Sequence, residues 1–210
     1  MTTSLLRRTG AITLASLALT FGLAACGSDD SGTKASDSPT TTTSDTSSAG
    51  ADTFGPGCKL IPADGKGSFN GMATDPVATA ASNNPLLKTL VAAVTQAGLG
   101  DTLNSADALT VFAPTDDAFA KIPKADLDKV LADKATLTKI LTHHVVAGKL
   151  SPDQLAGEHK TLAGDTITVT GSGEDFKVDN AGGAASVLCG NIPTANATVY
   201  VVDSVLMPTS

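Results

Sequence analysis

The residues of this chain with chemistry to offer are few: three histidines, three cysteines and the adjacent aspartates Asp116 and Asp117. His143 and His144 stand side by side, with Asp116, Asp117 and His159 as the further ligands that a metal would need. Neighbouring positions on a helix point about 100° apart, so both imidazoles cannot readily converge on one ion. No Cys/His spacing of the zinc type is present. Serines are plentiful, but there is no Gly-x-Ser-x-Gly elbow and no glycine-rich phosphate loop. Asp116 and Asp117 follow Thr115 and read as acids in the first turn of a helix, where the dipole favours negative charge. The expectation is no catalytic residue, no metal and no cofactor; the chain reads as a protein that is not an enzyme.

Cysteine chemistry is more informative. Arg7 and Arg8 precede the apolar run of residues 11–19, and Leu23-Ala24-Ala25-Cys26 closes it. That order is a secretory signal peptide over residues 1–25 with small residues at the cut. The run is shorter than the ~20 residues a spanning helix needs. The tetrapeptide resembles the lipobox of bacterial lipoproteins, which makes Cys26 the expected lipidation site and first mature residue. Sec and Tat export both remain open. Setting Cys26 aside leaves Cys58 and Cys189, an even pair in an oxidising compartment. A bridge between them is the expectation, with two buried thiols as the alternative.

Composition sets the organisation. Residues 26–57 are the lipidated N-terminus and a stalk of Gly, Ser, Thr, Asp and Pro with almost nothing large and apolar. Such a segment cannot bury enough surface to offset its ordering entropy, so a flexible stalk is expected. Its threonine run suits O-linked sugars as well as it suits an unmodified linker. Residues 58–210 are the size of one domain. The full chain carries −7, and removing the two leader arginines leaves −9. An acidic surface without a basic cluster excludes nucleic acid as a partner and electrostatic docking on anionic lipid.

The elements that must position these residues read in two halves. Asp75-Pro76 predicts an N-cap and first turn of a short helix to Ala81, and Asn84-Pro85 repeats the device. Leu86, Leu87, Leu90, Val91 and Val94 then fall at helical spacing up to a stop at Gly98. Residues 109–114 form a β-type run, followed by a helix start at Thr115. Leu127, Val130 and Leu131 suit another helix, and Leu137, Ile140, Leu141 and His144 line one face of the next. Ser151-Pro152 caps a turn near Leu155. Later, residues 166–170 alternate strictly, and 176–178, 185–192 and 198–202 read as further strands. Helices first and strands late is the pattern of an α+β domain.

Three segments together resemble a fasciclin domain. Thr110-Val111-Phe112-Ala113-Pro114-Thr115-Asp116-Asp117-Ala118-Phe119 is similar to the family's first signature. Residues 141–148, Leu-Thr-His-His-Val-Val-Ala-Gly, resemble its central segment, and residues 199–208 its closing one. Residues 55–58, 81–85 and 194–200 resemble the secreted and lipid-anchored fasciclin antigens of mycobacteria and related actinobacteria. The resemblance implies a single domain with two small β-sheets in a wedge flanked by helices, a Cys58–Cys189 pairing, and adhesion or interaction at the cell surface without catalysis. His143 stands where the family generally has tyrosine, the residue implicated in integrin contact in animal members. His144 occupies the family's histidine position, and a buried hydrogen-bond role is expected for it.

Two functional classes follow. One is an adhesion or interaction module tethered through Cys26 to the extracytoplasmic face of the membrane, or partly released. Its partner would be extracellular matrix, cell wall or a cell-surface protein. The other is a carrier or sensor binding a small apolar ligand in a groove between helix and sheet. An apolar pocket with a few polar groups favours the carrier.

Overall fold

A computed structural model describes residues 49–180 and 183–208, so Cys26, the leader and most of the expected stalk lie outside the described residues. In chain order the elements are a 3-10 turn, Pro56–Leu60, then α1 (Phe69–Ala73), α2 (Val77–Asn83), α3 (Lys88–Ala97) and α4 (Gly100–Ser105). Next come β1 (Leu109–Pro114), α5 (Asp116–Ala120), α6 (Lys124–Ala132), α7 (Lys134–His143) and β2 (Val145–Ala147). The last part holds α8 (Pro152–Leu155), β3 (Gly157–Lys160), β4 (Thr166–Ser172), β5 (Asp175–Asn180), β6 (Gly183–Pro193) and β7 (Ala197–Val202). The α+β class holds.

The strands run in the order β2-β1-β7-β6-β5-β4-β3. The expected two sheets are two ladders that share β6. The first residues of β6 pair with β5, from Gly183 to Ser186. Its later residues pair with β7 through two register shifts around Cys189. Such irregularities bend a strand and increase its twist. At the far ends, Val146 bridges Thr161, and the Leu162 amide donates to the Val145 carbonyl at 2.8 Å.

One pairing reaches across the whole domain. β1, the first strand, lies parallel to β7, the last, from Leu109↔Ala197 to Pro114↔Val202. Every residue of both strands is buried. Covered on both faces, such strands read as continuous apolar runs and not as alternation. Successive side chains still point to opposite faces. Leu109, Val111, Ala113, Val199 and Val201 therefore join a core beneath α2, α3 and α7. Phe112, Tyr200 and Val202 join a second core with β4, β5 and Leu155.

The structure corrects three expectations. The packed chain begins before Cys58: Phe54, assigned to the stalk, is buried in the second core, 5.5 Å from the Phe176 ring and 6.2 Å from Tyr200 between centroids. Its backbone pairs with Gly190, where a Cβ would sit 2.3 Å from the Phe54 ring, so only glycine fits. Asp75 does not cap α2; Pro76 is the N-cap residue, and the free amides find partners elsewhere. Pro85 does not open α3, which starts three residues later, while Asn84 turns back to accept from the Leu86 amide at 3.0 Å. Gly98 ends α3 as expected, in the left-handed region at φ 74°.

Candidate functional site

The histidine pair sits where α7 ends and β2 begins, and the two rings part company. Their centroids are 6.4 Å apart at 90°. His144 is fully engaged: Nδ1 donates to the Ile140 carbonyl at 2.8 Å, and Nε2 accepts from the Leu206 amide at 2.8 Å. These two bonds define its neutral tautomer. Burial disfavours the imidazolium and holds its pKa down to about 4; the Ile140 carbonyl opposes that shift, and neighbouring His143 adds to it. The structural role expected for His144 is what this geometry provides.

His143 is buried at 2% exposure, so it presents no surface for a partner to touch at this position. Its Nδ1 lies 2.8 Å from Asp165 Oδ1, the oxygen that also accepts from the Thr161 hydroxyl. Burial raises the Asp165 pKa, but the hydrogen bonds from Thr161 and His143 outweigh it and bring the carboxyl below its ordinary range. The cluster ties the β3–β4 turn, which carries Leu162, to the end of α7.

Asp116 is structural as well. Thr115 caps α5 by accepting from the Ala118 amide at 3.2 Å, which places Asp116 and Asp117 in its first turn. Asp116 does more than complement that dipole. Its Oδ1 accepts from the Thr89 amide in the first turn of α3 at 2.7 Å, and its own amide donates to the Leu86 carbonyl at 2.9 Å. Asp117 is exposed. Asp116, Asp117, His143 and His144 therefore do not converge. Among the described residues no group of three or more His, Cys, Asp or Glu is gathered as a metal ion would need. Cys58 and Cys189 form a disulfide that joins the 3-10 turn to β6.

Asn196, in the β6–β7 turn, is a hub that sequence reading missed. Its Oδ1 accepts from the Val77 amide at 2.9 Å, capping α2 from 119 residues away. Its Nδ2 donates to the Leu103 carbonyl at 2.7 Å and to the Ala106 carbonyl at 2.9 Å. Asn104 accepts from the next amide, Ala78, at 2.9 Å. The two asparagines hold α2 and α4 against each other.

Beside them lies an apolar cavity of about 300 Å³, reached from solvent, between α2, α3, α4 and the β1–β2 face. Val77, Leu90, Val94, Leu103, Val111 and Leu141 supply much of its wall, and His144 also lines it with both nitrogens committed. Exposed Ser82, Thr95, Asp101 and Thr102 line it too, as does Leu162 at 47% exposure. The volume sits at the lower end of the ~300–1,000 Å³ typical of ligand sites.

The family profile described as Fasciclin domain matches residues 85–208. The chain belongs to the fasciclin family. It is 46% identical, over 94% of both chains, to the cell surface glycolipoprotein MPB83 of Mycobacterium bovis and to MPT83 of Mycobacterium tuberculosis. The immunogenic protein MPB70 of Mycobacterium bovis is 51% identical over 76% of this chain and 84% of its own. Among solved structures, the domain pair of the insect cell adhesion molecule Fasciclin I matches 58% of this chain and 45% of its own, with a TM-score of 0.49 and 21% identity.

Proposed function

We propose that this fasciclin protein is a surface-tethered, non-catalytic interaction module, anchored by lipid at Cys26 and held off the membrane by the segment that follows. The observation that carries this reading is the 46% identity, along nearly the whole chain, to proteins named cell surface glycolipoproteins. The residue chemistry agrees with it, because His144 and Asp116 are engaged in hydrogen bonds that hold the fold together. The partner is a matrix, cell-wall or cell-surface protein. Two acyl chains suffice for stable attachment, whereas one is marginal.

Crosslinking on intact cells, followed by identification of the attached species, tests the partner class. Recovery of a defined surface or wall component supports the reading, and crosslinks to the chain alone at every spacer length refute it. Cys26→Ala tests the anchor: the variant should appear in the soluble fraction, and full retention after carbonate washing would refute lipidation.

The open apolar cavity favours a second reading, carriage of a small apolar ligand, which coexists with tethering.

A further inference from the structure

We propose that the cavity between α2, α3 and α4 binds a single acyl or alkyl chain bearing an uncharged, hydroxyl-rich head, such as a monoacylglycerol or a simple glycolipid. The proposal rests on the carrier reading and assigns the ligand's chemistry.

The interior specifies the tail. Val77, Leu90, Val94, Leu103 and Val111 offer only hydrocarbon, and neither nitrogen of His144 is free to meet a buried polar group. A polar function placed there would lose its hydrogen bonds to water without replacement, which is costly. A methylene group is close in size to a water molecule, at ~30 Å³. The cavity of about 300 Å³ therefore accepts on the order of ten methylenes.

The mouth specifies the head. No lysine or arginine lines the cavity, while Asp101 does. Ser82 donates its hydroxyl to the Ala78 carbonyl at 2.7 Å, and Thr95 donates to the Val91 carbonyl at 2.8 Å. A hydroxyl that donates elsewhere still accepts. The Asn104 amide group donates one of its two hydrogens to the Thr79 hydroxyl at 3.3 Å. The mouth thus presents acceptors and a negative charge. A carboxylate or phosphate finds the Asp101 charge there and no cation to pair with, only neutral donors such as the Thr79 and Thr102 hydroxyls. A polyol head has hydroxyl protons to donate to these oxygens.

The test uses the full mature chain with Cys26→Ser, so that no acyl chain of its own competes. Monolauroylglycerol and laurate are titrated separately by calorimetry at pH 7, each below its micellar concentration, with methyl NMR in parallel. The expected result is one-to-one binding of the glycerol ester, about tenfold tighter than laurate. Shifts should centre on the methyls of Val77, Leu90, Val94, Leu103 and Val111. Ala81→Phe, which fills the cavity, should weaken binding about tenfold or more. Ser82→Trp, at an exposed rim position, should do the same should the filled variant not fold. Equal or tighter binding of laurate in the cavity overturns the neutral-head assignment and leaves the carrier reading standing. Absence of binding by both, or shifts located elsewhere, overturns both.

Discussion

At the scale of single residues, His144 links the end of α7 to the chain beyond β7 and does so only while neutral. Its pKa falls from 6.5 to about 4 on folding, chiefly through burial. Between those values the unfolded chain holds a proton that the folded one does not. Stability is therefore intact above about pH 6.5 and declines as pH drops toward 4, by about 3 kcal/mol for this residue. Urea titrations across that window should show the slope. His144→Leu should be less stable at pH 7, since it leaves the Leu206 amide and Ile140 carbonyl unpaired, and its pH dependence should be flatter. An unchanged slope would refute the assignment. Asn196→Ala should cost about 2–4 kcal/mol, combining the lost cap of α2 with orphaned carbonyls on α4. Asn196→Asp retains the acceptor for Val77 and should recover part of that loss, as read from melting curves.

At the scale of elements, the Cys58–Cys189 disulfide fastens the 3-10 turn to β6 beside its register shifts. Residue separation is 131, so the bridge closes nearly the whole domain into one loop. Removing such a bridge typically costs ~2–5 kcal/mol. A Cys58→Ser, Cys189→Ser variant should melt lower while keeping its far-ultraviolet dichroism at room temperature. A melting point within error of the parent would show that packing alone holds the turn. β6 needs the support, because its pairing passes from β5 to β7 part-way along and Asn191 adopts φ 58° there. A non-glycine residue in that region is uncommon and accompanies the irregular ladder.

At the scale of the whole molecule, the domain is closed by its extremities: β7 docks beside β1, and Phe54 plugs the second core from the N-terminal side. Cutting the chain back to Cys58 should therefore destabilise it. Losing a buried phenylalanine costs about 3–5 kcal/mol. A chain starting at residue 49 should match the full mature protein in thermal unfolding, and one starting at 58 should fall well below it. Equal melting of the two would place Phe54 outside the cooperative unit.

Local physics made much of this legible in advance. Thr115 before two acids, Gly98 after an apolar periodic run, and the alternation of residues 166–170 each depend on neighbours within a few residues, and each stands as read. The family signatures around Thr110, His144 and Tyr200 carried the fold class, because they contain strand and cap residues together. Other features are set by distant neighbours. A helix start announces only that its amides need partners; which side chain supplies them depends on what the chain brings near. Asp75 was adjacent to α2, yet Asn196 caps it. Asp116 belonged to its own helix, yet it also accepts from α3. Phe54 lay in a polar stretch, and only the second core explains its burial. The cavity is the furthest from the sequence of all: its apolar residues read as ordinary core, and it lies where α2 and α4 are tied to each other by Asn104 and to the β6–β7 turn by Asn196, contacts between segments far apart in the chain.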